Sequence, residues 1–183
     1  MNPLISTNIS QNFSILNRYF NLIQMPLDTK HFMENKISLI NNLNLNITNY
    51  KLYYPIILDA LEKNESCADL YGDFEQINEM SMYIYTIIEE DMTKNIYLDT
   101  NLDLNYLHNL LKFINQLLTS FHRILNQKIA LLNDNITEDE YNKEYEDYTI
   151  EFGEQRTYFY STIFNEKSEG LSENVRRVWK TEL

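Results

Sequence analysis

Residues 101–133 read NLDLNYLHNLLKFINQLLTSFHRILNQKIALLN. Leu104, Leu107, Leu111, Ile114, Leu118, Phe121 and Leu125 alternate steps of three and four, the a/d pattern of a helix sustained over several heptads. A third row, Leu110, Leu117, Ile124 and Leu131, runs beside it at a spacing of seven. The apolar stripe is therefore wider than a two-strand seam, as expected of a helix that packs on more than one neighbour. A helix of about 30 residues is about 45 Å long. Between Asp103 and Asp134 the stretch holds no acid, only Lys112, Arg123 and Lys128, in a chain of net charge -12.

Composition agrees with an all-α fold. The 183 residues suffice for one domain with a sizeable core, and three Gly and three Pro are too few for the turns of a β-rich fold. Abundant Asn, Ile, Tyr and Lys suggest an AT-rich coding genome. The single Cys67 rules out an intrachain disulfide and a cysteine-based zinc site. The N-terminal sequence MNPLISTNISQNFS has neither a basic region nor an apolar run, so no secretory signal is expected. No long apolar window suggests a membrane span. The expected location is intracellular and soluble, or within a virion. A pI near 4.6 argues against duplex nucleic acid and anionic membranes as partners.

Outward from the central stretch, Ser10 suits the cap of a helix over 11–24. A second helix is expected from Asp28 or Thr29 to about Asn42. Leu43, Leu45 and Ile47 then alternate with polar residues, a strand-like period that predicts an extended connector over 43–49. Pro55 reads as the first turn of a short helix ending near Lys63, and 64–72 as a turn region. A helix follows from Asp73 to about Met92. Thr137 and Glu140 form a capping-box signature. The helix it opens, 137–165, should form an antiparallel hairpin with the central one, with a bend at Gly153. Beyond Gly170 a short basic helix, 172–180, is expected.

Sites of chemistry are hard to build from this chain. His108 and His122 lie about 21 Å apart along the helix axis and cannot share an ion. The acids of 138–154 lack a second half on another helix, and nothing forms a phosphate loop or a nucleophile elbow. No catalytic residue, cofactor, metal or small-molecule substrate is inferred. What the sequence offers is surface. Tyr53, Tyr54, Tyr158 and Tyr160 place aromatics with polar tips on several helix sides. Leu45 and Ile47 mark the connector. Glu140, Glu144, Asp147 and Glu151 share one acidic face. Val175, Arg176, Arg177, Trp179 and Lys180 make a basic apolar tail.

The expected fold is thus an all-α bundle of about six helices around the long 101–133 helix. It forms one domain, 1–183, with an arm at 1–9, the connector at 43–49 and a tail at 170–183. The expected function is that of a non-enzymatic subunit in a larger assembly, a homo-oligomer. Its most concrete form is a viral or phage particle component of ring, connector or adaptor type. The alternative is an acidic helical inhibitor or immunity-type protein that binds a basic protein partner.

Overall fold

The computed structural model describes residues 9–12, 14–18, 36–95 and 104–164. Among the described residues all regular structure is helical and no strand occurs. Helical residues at 9–12 and 14–18 bury Ile9 and Leu16. Four long helices follow: α1 (Lys36–Glu62), α2 (Ala68–Asn95), α3 (Leu104–Leu132) and α4 (Glu138–Tyr158). A 3-10 turn, Glu65–Cys67, joins α1 to α2, and α4 runs on into a π-helical turn, Phe159–Phe164.

Side-chain pairs fix the topology. Tyr50 meets Tyr85 and Tyr54 meets Phe74, so α1 and α2 run antiparallel. Phe74 stacks on Phe121 while Asp69 meets Lys128, so α2 and α3 are antiparallel. Arg123 pairs with Glu151 and Lys128 lies over Tyr141, so α3 and α4 form the antiparallel hairpin expected from their short connection. Tyr141 and Tyr145 of α4 meet Asp69 and Asp73 of α2 in the same order, so α2 and α4 are parallel. This is an up-down-up-down arrangement in which α2 touches α1, α3 and α4.

α3 carries the broad apolar face its spacing predicts. Leu111, Ile114, Leu118, Phe121 and Leu125 are buried, as are Leu110, Leu117 and Ile124 of the third row. Its opposite side, with Lys112, Gln116, Thr119, Arg123 and Asn126, faces solvent. α2 differs. From Gln76 to Glu90 it has no exposed residue, and Ile77, Met80, Tyr83, Ile84, Tyr85 and Ile87 are buried on several sides. A sharply two-sided helix lies at the surface of a bundle, whereas one apolar most of the way round lies within it. The most enclosed helix is therefore α2.

Two expectations are corrected. The extended connector at 43–49 is helix, part of α1, and Pro55 lies inside α1 rather than at the start of another helix. Residues two apart on a helix point to nearly opposite sides. Accordingly Ile47 is buried while Leu45 is exposed, so the alternation marks two apolar sides of one helix. A proline in a helix interior costs about 3 kcal/mol. Burial of Tyr50, Tyr54, Ile57 and Leu61 along one side of α1 offsets it. Fusing the expected helices on either side of the connector lowers the helix count. The helix at 172–180 lies outside the described residues.

The ends of the α3–α4 hairpin are chemically defined. Asn135 N–H donates to the Ala130 carbonyl (2.9 Å) and Asp134 N–H to that of Leu131 (3.0 Å). With Asp134 at φ 58°, this is a Schellman end to α3, an aspartate taking the left-handed position usually given to glycine. At the start of α4 the capping box is complete. Glu140 N–H donates to Thr137 Oγ1 (3.2 Å), and Thr137 N–H donates to Glu140 Oε2 (2.8 Å). Thr137→Ala should cost about 1 kcal/mol, and thermal unfolding followed by circular dichroism should show a lower midpoint.

No break occurs at Gly153, which faces solvent; a Cβ placed there would meet nothing within 4 Å. The helical geometry changes six residues later, and the aromatic cluster supplies the reason. Phe159 meets the edge of Tyr83 at 5.6 Å, and Phe164 lies 5.1 Å from the same ring. In an α-helix residues five apart lie roughly 140° apart around the axis. The wider π-turn brings positions five apart onto one side, so both phenylalanines reach Tyr83.

Candidate functional site

The sequence points to surface residues, and the structure divides them. Val175, Arg176, Arg177, Trp179 and Lys180 lie outside the described residues. Tyr54 and Ile47 are core residues, 2% and 3% exposed, so neither is available at the surface. Tyr53 is half-buried and packs on the core. Tyr83 and Tyr85 are buried because α2 is covered on several sides at once. Among the described residues the tyrosines mostly fill the interior. Rings of Tyr85, Tyr50, Tyr54, Phe74 and Phe121 follow one another with centroids 4.0 to 4.7 Å apart, linking α1, α2 and α3. The Tyr50 hydroxyl donates towards Asn78, lying 2.8 Å from both its backbone oxygen and Oδ1. Burial pushes the Tyr50 and Tyr54 phenols well above their usual range.

The acidic face of α4 is also divided. Glu140 is held in the capping box. Glu151 accepts from Ser120 Oγ (2.9 Å) and from Arg123 Nη2 (3.0 Å). Glu144 is half-buried and Asp147 exposed. Among the described residues Arg123–Glu151 is the ion pair that joins α3 to α4. Lys128 reaches Asp69 of α2 at 3.6 Å and covers the Tyr141 ring of α4 at 4.8 Å.

That lysine belongs to a polar seam between α2 and α4 that the spacing of residues does not reveal. Tyr141 Oη donates to Asp69 Oδ2 (3.0 Å) and Tyr145 Oη to Asp73 Oδ2 (3.4 Å). Desolvation holds the Asp73 carboxyl up at about 6, against the hydrogen bond from Tyr145. Burial, and then the Asp73 and Asp69 carboxylates, push Tyr145 up to about 12. Buried Cys67 sits at the end of the seam, its thiol raised by desolvation, with Lys128 acting in the opposite direction. A buried thiol with a raised pKa is poorly nucleophilic. Among the described residues no group of three or more His, Cys, Asp or Glu is placed to hold a metal ion. The seam is partly buried, hydrogen-bonded and closed on itself, which suits a structural contact.

The exposed apolar residues are arranged more suggestively. On α1, Leu45 (50% exposed), Leu52 (57%) and Ile56 (43%) lie on the side opposite the buried Ile47, Tyr50, Tyr54, Ile57 and Leu61. Asn49 falls in the same row. On α4, Ile150 (60%) stands on the side opposite buried Tyr148 and Phe152, while Tyr158 (49%) lies towards α3 with its ring 5.4 Å from that of Phe113. Between them Gly153, Thr157 and Ser161 floor a shallow hollow. Leu52, Ile56 and Ile150 are not among the surface residues expected from the sequence. For Leu52 and Ile56 the signal is present there, as an apolar row with Leu45 at steps of seven and four, once α1 is read as one helix running through Pro55. Among the described residues no helix is long and apolar enough to cross a membrane. Comparison of the chain with protein-family models, with curated proteins and with solved structures finds no match.

Proposed function

We propose that this protein is a non-enzymatic subunit of a larger assembly, a homo-oligomer built through its helix surfaces. The observation that carries the reading is α1, which is apolar on two opposite sides but packs on α2 with only one. Leu45, Leu52 and Ile56 make a row at helical spacing, unlike the scattered single apolar residues of an ordinary surface. Ile150 and Tyr158 add exposed apolar surface on a second helix, α4. The AT-rich usage of the sequence favours a viral or phage particle component as the concrete setting. Sedimentation velocity over a range of concentrations tests the reading. The expected result is a mass several times 22.0 kDa. A particle of one chain at every concentration would overturn it.

The acidic inhibitor is the second reading, favoured by the exposed carboxylates Glu138, Asp139, Glu146, Asp147 and Glu154. A single-chain particle that binds a basic protein with steeply salt-dependent affinity would select it. Neutralising Glu146, Asp147 and Glu154 is the clean probe there. Glu140 and Glu151 are unsuitable because each already has a bonding partner within the chain.

A further inference from the structure

We infer that the α2–α4 seam is a proton-operated clasp: one proton held at Asp73 keeps α4 seated on α2, and its loss lets α4 lift from the bundle more often. The charges of the seam are the reason. α2 turns two carboxylates towards α4, Asp69 and Asp73, one helical turn apart. Among the described residues their one ion-pair partner is Lys128 of α3, and it stands at Asp69 (3.6 Å). Asp69 also accepts the 3.0 Å bond from Tyr141. Half-buried Asp73 accepts a single long bond, 3.4 Å from Tyr145. Arg156 of α4 attracts it from beyond ion-pair distance, and Asp69 repels it. The Tyr148 hydroxyl is buried and bonds nothing, although Asp73 is the charge that acts on it most. Glu151, paired with Arg123, also faces that hydroxyl. A carboxylate with a like charge one turn away and one weak hydrogen bond is better held as the acid. Its titration at about 6 agrees.

The anchoring of α4 makes the response local. Of its 21 residues Tyr141, Tyr148 and Phe152 are buried, and Tyr141 belongs to the seam itself. A segment with few buried side chains opens at lower free energy than the whole fold. When α4 lifts, Asp73 returns to water, so ionisation favours the open form. The advantage of the closed form is complete below pH 3.8, falls as pH rises to about 6, and levels off above that. Burial raises the Tyr141, Tyr145 and Tyr148 phenols and the Cys67 thiol, so these groups keep their protons across the same range.

Amide hydrogen exchange of the full chain, measured by NMR between pH 4 and pH 7 and expressed as protection factors, tests this on wild type and Asp73→Asn. The amides of α4 should be less protected than those of α2 around Ile84. In wild type their protection should fall about tenfold over the range, with a midpoint near pH 6, and in Asp73→Asn it should stay flat. The whole shift would give about a hundredfold, which the partial exposure of Asp73 lowers. If the α4 and α2 amides are equally protected and move together, Asp73 titrates only with global unfolding and there is no clasp. If α4 protection in wild type does not change with pH, or if Asp73→Asn keeps the change, the inference also fails.

Discussion

Replacing Phe74 with alanine should lower the unfolding free energy by about 3–5 kcal/mol, the largest single-residue effect expected here. Phe74 is fully buried and lies between two rings, 4.6 Å from Tyr54 of α1 and nearly parallel to it (5°), and 4.5 Å from Phe121 of α3. Truncation removes the transfer energy of the ring, opens a cavity, and breaks two stacked pairs worth about 0.5–1.5 kcal/mol each. It does so at the point where three helices meet, so the remaining side chains have little room to collapse into the gap. Phe74→Leu keeps most of the volume and should cost clearly less. Urea unfolding of the two variants beside the wild type measures both. Equal loss in the two would show that the ring stack, which both variants lose, matters more than the buried volume that leucine keeps, and a loss below about 1 kcal/mol for alanine would place the core elsewhere.

Asp73→Asn should stabilise the protein at neutral pH by about 1–2 kcal/mol, and the gain should vanish near pH 4. The carboxyl titrates at about 6 in the folded chain against 3.8 ordinarily, because desolvation outweighs the Tyr145 hydrogen bond. A raised carboxyl pKa means the folded state holds the proton more tightly than the unfolded one. Stability from this group is therefore present below pH 3.8 and falls as pH rises through the interval up to about 6, levelling off above it. The magnitude allows for the partial exposure of Asp73. Asparagine removes the buried charge and still offers an oxygen to Tyr145, and it also removes repulsion from Asp69. Unfolding free energies of wild type and variant at pH 4, 5, 6 and 7 give the comparison. A variant less stable than wild type at pH 7 would mean that the ionised carboxylate holds the α2–α4 seam together.

The two variants probe parts of the molecule that differ in legibility. α3 and its hairpin with α4 can be read directly, because a strongly two-sided helix writes its buried face as a row at steps of three and four, and Thr137 with Glu140 marks a helix start in four residues. α1 is harder. Its two apolar sides superpose into an alternating pattern between Leu43 and Ile47, which imitates a strand, and Pro55 imitates a helix start. Only the partner helix resolves such a segment, since a local period does not say whether one side or two will be covered. The enclosure of α2 is hidden for the related reason that apolar residues all round a helix give weak periodicity.

The sequence by itself determined the helical class, the hairpin and its cap, and the broad face of α3, all of which depend on residues within a few turns of one another. It also determined the charge balance. The tertiary structure alone decided which helix is enclosed and which tyrosines are core. It also placed Asp69 and Asp73 against Tyr141 and Tyr145, and left Leu45, Leu52, Ile56 and Ile150 outside. Those outcomes depend on contacts between residues up to 81 positions apart. Burial is a property of the neighbours a residue acquires on folding, and no local spacing carries that information.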